Sequence, residues 1–332
     1  MGETNQPFRE NRTLIDKKLV VPIIMIQTIQ IIHNPNAGKA NHSKEWLIGM
    51  IARFANKVRY VSTKDKLWNS FEFNPEHPIL LAGGDGTVRK VFEKLNQSND
   101  NLPLSMSPII LCPCGKANNI AKSLNIRGNP TGKIDFDLSK VDDYHFGEIK
   151  NTKDEQFFIE SFGFGVFPEL LKGKRSKPKT SYTSEVKLQL ALHKLIEVVG
   201  KIEAQKLKIK TDQFTVKGSF ILAEVMKIKH MGPNLPLAPA NSPGSAWFHL
   251  VLISEDRRDD FSNYLQNLLK GVKTPSPVLD FITSIKTSKL KLKSSGMYYH
   301  IDDQFIENYQ GGRLESLVSN SGIPFVKNVS YI

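Results

Sequence analysis

The sequence predicts an α/β domain built on a parallel sheet, followed by a second domain of antiparallel strands. Three observations carry the prediction. Strand-like and helix-like segments alternate from Ile23 to about residue 140. Period-two segments replace them afterwards. A chain of 332 residues, 40% of them hydrophobic, suffices for roughly two cores. The chain divides into a polar extension (1–22), an α/β domain (23–140), a β-rich domain (141–310) and a C-terminal segment (311–332) that could return to the α/β domain.

The first strand comes from the β-branched run between Ile23 and Ile32, which stops at the turn cluster Asn34 to Gly38. Trp46, Leu47, Met50, Ile51 and Phe54 then recur at helical spacing. "KVRYVSTKD" reads as a second, short strand ending at the hydroxyls of Ser62 and Thr63. Ile79 to Ala82 is a third. It passes through Gly-Gly-Asp-Gly-Thr, Gly83 to Thr87, into a helix whose apolar stripe is Val88, Val91, Phe92 and Leu95. "PIILCPCGKANNIAKSLNI" repeats the plan as strand, glycine turn and helix. Ligands of such sheets gather at the carboxyl ends of the strands. Four loops fall there: Asn34 to Lys39, Ser62 with Thr63, Gly83 to Thr87, and Pro113 to Asn118.

Beyond residue 140, "EQFFIESFGFGVF", "KLKIKTDQFTVKGSFILAEVMKI", "SAWFHLVLISE" and "SIKTSKLKLKSSGMYYHIDDQFIE" alternate with turn signals between them, as antiparallel strands do. A helix is expected around Ser184 to Val199, with Val186, Leu190, Leu192, Leu195, Ile196 and Val199 at helical spacing, and another near Phe261 to Leu269. The lysine-rich stretch from Lys172 to Lys210, which includes Tyr182, could dock on anionic headgroups or be a solvated loop plus a core helix.

A formal charge of +12 and a pI near 9.5 point to an anionic partner. Nucleotide phosphate and an acidic membrane surface both qualify. Nucleic acid is disfavoured, because no zinc-ligand framework, RNA-binding aromatic signature or basic zipper accompanies the charge. The only cysteines, Cys112 and Cys114, allow no disulfide framework and fit a reduced, cytoplasmic setting. They read as small buried side chains. The histidines form no paired ligand motif, and His33 and His300 read as hydrogen-bonded strand-end residues. "MGETNQPFRE" lacks signal-peptide order, Gln6 breaks the myristoylation pattern, and the apolar run Leu19 to Ile32 is too short to span a bilayer. A membrane, if met, is met peripherally.

Chemistry concentrates in the glycine loop. Missing side chains let main-chain amides approach a ligand closely, and the helix that follows adds partial positive charge, a combination suited to phosphate. Asp85 in the middle of it would repel phosphate unless it held a cation such as Mg²⁺, accepted a proton, or capped a helix. Neither a P-loop nor a dinucleotide fingerprint is present.

The ordered set "HNPNAG", "GGDGTVRKVFEKL" and "PCGKANNIAKSLNI", followed by "FGFGVFPELL" and later "YYHIDDQF", resembles the diacylglycerol kinase catalytic family, which includes bacterial lipid kinases and sphingosine and ceramide kinases. The resemblance implies an α/β domain related to NAD kinases, an antiparallel β-sandwich-like second domain, ATP and Mg²⁺ between them, and phosphorylation of a lipid alcohol, diacylglycerol-like or sphingoid-like. Matched residue by residue, it implies a phosphate loop at Gly83, Gly84, Asp85, Gly86 and Thr87, continuing to Val88 and Arg89. It also implies nucleotide contacts from Asn34, Pro35, Asn36 and Gly38, from Thr63, and from Gly115, Lys116 and Asn118. Asp85 would bind metal, and Asp85, Asp302 and Gln304 would form the catalytic set.

The chain departs from the family's pattern. Lys116 replaces a threonine, Asn119 an aspartate, and Arg89-Lys90 an Asn-Glu pair; Asp302-Asp303-Gln304 stands where Asp-Gly-Glu is usual, so the glutamate proton acceptor is a glutamine. Asp302, Asp303 or Asp85 could take over. Metal-binding acids expected around Ala240 to Trp247 are missing from "ANSPGSAWF". Three readings stay open at this point: an ATP- and Mg²⁺-dependent lipid kinase at a membrane surface, a catalytically weak nucleotide- or lipid-binding regulator, and an NAD kinase-like enzyme. Homodimerisation is also left open.

Overall fold

A computed structural model describes residues 25–38, 42–97, 106–126, 130, 132–152, 156–172, 184–242, 244–272, 280–294, 298–307, 309 and 311–331. The polar extension 1–22, Lys39 and residues 173–183 of the lysine-rich stretch, with Tyr182, lie outside the described residues.

The first domain runs β1 (Ile26–His33), α1 (Lys44–Ile51), β2 (Ala55–Ser62), α2 (Leu67–Ser70), β3 (Ile79–Gly83), α3 (Asp85–Gln97), β4 (Ile109–Pro113), α4 (Asn119–Ser123), β5 (Ile134–Asp135) and β6 (Val141–Tyr144). Its central strands β1, β3 and β4 are rich in apolar residues and buried on both faces. Along β3, Ile79 and Leu81 pack with Val88, Val91, Phe92 and Leu95 of α3. The alternate residues Leu80 and Ala82 pack with Leu47, Met50 and Ile51 of α1. A parallel sheet needs this double cover. Helix α1 starts where Ser43 Oγ accepts the Trp46 amide at 3.1 Å, an ordinary N-cap.

The second domain contains β7 (Gly147–Lys150), β8 (Gln156–Phe158), β9 (Ser161–Gly165), α5 (Val166–Lys172), α6 (Ser184–Lys201), β10 (Gln205–Thr211), β11 (Thr215–Met226), β12 (Phe248–Ser254), α7 (Arg258–Leu269), β13 (Thr283–Thr287), β14 (Lys289–Ser294), β15 (Tyr299–Ile301), β16 (Gln304–Ile306) and β17 (Gly312–Val318). These strands form one sheet ordered β16-β15-β9-β11-β10-β14-β17-β7-β8, with β12 on β11 and β13 on β12, antiparallel throughout. One core lies on it between strands, and a second lies under α5, α6 and α7. Helix α6 buries Leu192, Leu195, Val198 and Val199, whereas Val186 and Leu190, expected on the same stripe, are exposed. Among the described side chains of that helix, those that enter the core begin at Leu192.

The last strands, β18 (Ile323–Val326) and β19 (Ser330–Tyr331), lie in the first domain. The order of its sheet is β2-β1-β3-β4-β18-β6, with β18 parallel to β4 and β6 antiparallel at the edge, while β19 pairs with β5. Strand β6 leads into the second domain and β18 returns from it, so two adjacent strands of one sheet hold both crossings. No described helix is long and apolar enough to cross a membrane.

Candidate active site

At the carboxyl ends of β1, β3 and β4 three loops touch backbone to backbone. Gly38 has φ +55°, and a Cβ there would lie 2.3 Å from the Cys114 carbonyl oxygen. A Cβ on Gly115 would lie 2.4 Å from Gly84 Cα. No larger residue fits either contact without moving main chain. Asn34 Nδ2 donates to Thr87 Oγ1 at 3.1 Å, and Asn118, in the left-handed region, donates to the carbonyls of Pro113 and Gly115 at 3.1 and 3.0 Å.

A buried relay supports the first loop. The Ala37 carbonyl can only accept, so His42 donates to it from Nε2 at 3.1 Å. His42 Nδ1 then accepts from His33 Nε2 at 2.8 Å, and His33 Nδ1 accepts from the Tyr60 hydroxyl at 2.8 Å. Burial, with His42 beside it, lowers His33 to a pKa of about 4, so His33 is neutral.

Helix α3 opens with Thr87 and Val88 amides returned to the Gly84 carbonyl, while the Gly86 amide has no main-chain acceptor. Asp85 lines the cleft with its carboxylate already engaged by main chain. Its two oxygens accept the amides of Asn119 and Ile120, each at 3.0 Å, and so cap α4. Burial raises its pKa, and those two amides oppose the shift.

The opposite wall is the two-residue turn between β15 and β16. Asp302, with φ +51° and 6% exposed, accepts the amides of Ile159, Glu160 and Ser161 and pairs with the Arg89 guanidinium. Arg89 also donates to Glu93 and to the Phe157 carbonyl, so it ties α3 to the second domain. Beneath the turn, His300 Nδ1 donates to the Asp302 carbonyl at 2.8 Å and Nε2 faces the Glu224 carboxylate at 2.8 Å, both side chains fully buried. Burial would lower His300, but Glu224 outweighs it and the net shift is upward.

Between the walls lies a cleft of about 520 Å³. It is lined by Asn34 and Gly38, by Gly84 to Thr87, by Gly115 and Lys116, and by Glu160, Asp302 and Asp303, with Phe167, Leu170, Leu171 and Met231 adding an apolar strip. Of the residues singled out in the sequence, Asn34, Gly38, Gly84, Asp85, Gly86, Thr87, Gly115, Lys116 and Asp302 are thus brought together. Pro35 and Asn36 sit beside the rim without lining it; Gly83 is buried in β3 beneath Thr87; Asn118 braces the fourth loop. Thr63 donates its amide to the His33 carbonyl, and its buried hydroxyl has no partner among the described residues. Arg89 and Gln304 face away and line a separate crevice with Glu93 and Gln156. Gln304 therefore does not stand where it could touch a ligand in the main cleft.

Sequence reading passed over Glu160. Its carboxylate lines the cleft, accepts from Asn119 Nδ2 at 3.1 Å, and has its pKa pushed well up by burial and by Asp85 and Asp302. A signal was present: a single acid inside the apolar run "FFIESF" is a charge in a buried strand context, where paired or functional groups concentrate. Asp303, exposed on the same cleft, has no hydrogen-bond or ion-pair partner among the described residues. Behind Glu160, the fully buried Lys227 donates from Nζ to the carbonyls of Ser245 and Trp247 at 2.6 and 3.0 Å, in the segment that lacks metal-binding acids.

Among the described residues no group of three or more His, Cys, Asp and Glu side chains is arranged to hold a metal by itself. Glu160 and Asp303 nonetheless fit Mg²⁺, which is ordinarily held by one or two carboxylates with water and substrate phosphates. All four acids line the cleft, but the oxygens of Asp85 and Asp302 already accept main-chain amides.

Comparison with known proteins agrees with this geometry. Residues 28–143 match the diacylglycerol kinase catalytic domain. The diacylglycerol kinase of Bacillus subtilis (strain 168) is 25% identical over 262 residues, 73% of this chain and 78% of that protein. The crystal structure of a diacylglycerol kinase from Bacillus anthracis str. Sterne superposes with a TM-score of 0.62 at 14% identity, covering 91% of this chain and 97% of that one. A second structure from the same organism gives 0.64 at 15%, with the same coverage. At these identities the two structures speak to the fold.

Proposed function

We propose, for a chain that belongs to the diacylglycerol kinase catalytic family through residues 28–143 and is a phosphotransferase on that account, that it transfers the γ-phosphate of ATP to the hydroxyl of a lipid alcohol bound between its two domains. One observation supports this reading above the others: glycine loops, a helix N-terminus and Lys116 form one wall of the cleft, and Glu160, Asp302 and Asp303 with an apolar strip form the other.

The triphosphate fits the first wall. The Gly86 amide, the N-terminus of α3 and the Lys116 ammonium offer donors and positive charge to an anion, and Gly38, Gly84 and Gly115 keep side chains out of its way. Phe167, Leu170, Leu171 and Met231 offer a hydrocarbon surface to the acceptor. Mg²⁺, when bound, neutralises charge on the transferring phosphoryl group. Glu160 and Asp303 are the residues suited to hold it, and Asp303, the exposed one, is suited to take the proton of the attacking hydroxyl. Phosphoryl transfer depends mainly on positioning and charge neutralisation, with a base adding about 10²- to 10⁴-fold.

Incubation of the protein with labelled ATP, Mg²⁺ and micelles of diacylglycerol, sphingosine or ceramide tests the reading. Label is expected in a lipid, and Asp303→Asn is expected to lower transfer by about 10²-fold or more at unchanged melting temperature. ATP binding without transfer to any acceptor would support the regulator instead, and label in NADP would support an NAD kinase-like enzyme.

A further inference from the structure

Away from the cleft, the sheet of the second domain carries a cationic face. Along β10 and β14, Leu207, Ile209, Leu290 and Leu292 enter the core, and Lys206, Lys208, Lys210, Lys289, Lys291 and Lys293 are exposed on the other side. Strand register lines these charges up. Lys208 stands opposite Lys217 of β11 on one flank and Lys293 of β14 on the other, and Lys293 stands opposite Arg313 of β17. The row Lys217, Lys208, Lys293, Arg313 crosses adjacent strands and spans about 14 Å at the usual interstrand spacing. None of its members forms a salt bridge among the described residues. In the next row Lys210 faces Lys291, whose Nζ is answered by Glu315 at 3.1 Å.

Like charges directly opposite each other destabilise a sheet, and serine or threonine at these solvent-facing positions would satisfy the fold equally well. We propose that this face docks the protein on an anionic lipid bilayer. The charge complementarity stands by itself; the choice of a lipid surface over another polyanion rests partly on the lipid kinase reading. It rests also on the face itself. No position of the cationic face on these strands is aromatic, so it offers no platform for stacking bases. The exposed ring nearest in sequence, Phe214, is 52% exposed in the hairpin between β10 and β11, at the margin of the face, where an interfacial aromatic belongs.

Co-sedimentation of the full chain with phosphatidylcholine vesicles, with and without phosphatidylglycerol, tests the proposal. Binding is expected only to the anionic vesicles and should fall with salt. Each basic residue near such a surface contributes roughly fivefold in affinity, so Lys208→Gln with Lys293→Gln should weaken binding roughly 25-fold. The same pair should hold or raise the melting temperature, because a repulsion is removed, which a merely structural role would not do. Lys57→Gln with Lys270→Gln, a charge-matched pair elsewhere on the surface, should bind as the parent does. Parental binding by the Lys208 and Lys293 pair, equal loss in both pairs, or tighter binding to a single-stranded oligonucleotide than to vesicles would each overturn the proposal. Vesicle binding needs no ATP, and transfer to a water-soluble short-chain acceptor should survive in the Lys208 and Lys293 pair, so docking and catalysis fail separately.

Discussion

Each wall of the cleft rests on a buried imidazole that donates to a loop carbonyl, but the groups that brace the two imidazoles differ. Under the α/β wall, His42 grips the Ala37 carbonyl and is braced by His33, which burial keeps uncharged down to about pH 4. Under the β-rich wall, His300 grips the Asp302 carbonyl against Glu224, and Glu224 raises its pKa. A carbonyl needs only a donor, so neutral histidine suffices where the neighbours are neutral. Charge is used where carboxylates crowd: Asp302 is answered by Arg89 and Glu224 by His300, while burial and the neighbouring acids push the pKa of Glu160 up. The difference separates a wall suited to receive an anion from one built to hold acids in place.

The largest break in that comparison should come from Asp302→Asn. The carboxylate takes three successive main-chain amides and the Arg89 guanidinium; an asparagine supplies one oxygen and turns an NH₂ toward donors. It also takes from Arg89 its buried carboxylate partner, leaving only the half-exposed Glu93 among the described residues. A loss of about 3–5 kcal/mol in urea unfolding is expected. A loss under about 1 kcal/mol would show that the charged wall is held some other way.

The two histidines should respond to pH in opposite directions. His33 has a folded pKa of about 4 against an ordinary 6.5, so the unfolded chain takes up the proton first. Its contribution is complete above pH 6.5 and is lost as pH falls toward 4, about 3 kcal/mol in all. His300 is raised, so its contribution is complete below its unfolded value and is lost as pH rises through the folded one. Ring-proton NMR titration, assigned by single His→Asn variants, checks both: His33 should stay neutral into the acid range and His300 should stay charged beyond pH 6.5. Matching titrations would erase the contrast between the walls.

Period and turn chemistry made much of the molecule legible. The double-faced apolar runs of β3 and β4, the stripe Val88, Val91, Phe92 and Leu95, and the alternation of Lys206 to Thr211 each specify their own local structure. Less could be read where partners come from far along the chain. Asp302 and Gln304 sit two residues apart, yet the two-residue turn sends one into a nest of amides and the other onto the outer face of β16. Glu160 acquires its cleft position only because β9 and β15 pair, a contact across 140 residues that no local pattern encodes. The same holds for the cationic row, since lysines alternate visibly in β10 and β14 but only register places Lys208 between Lys217 and Lys293.

The smallest expected effect concerns the one acid of the α/β wall. Asp85 resembles Asp302 in accepting successive main-chain amides, but it accepts two, holds no arginine, and is half-buried. Asp85→Asn keeps one oxygen on the start of α4 and removes a charge from a helix N-terminus, a change of about 1 kcal/mol. Urea unfolding beside Asp302→Asn measures the ratio directly. Equal losses would mean that both walls are built on buried charge. If Asp85→Asn instead abolished transfer of label while stability stayed unchanged, the carboxylate would be acting on the phosphates, and the α/β wall would hold an acid of its own in the reaction.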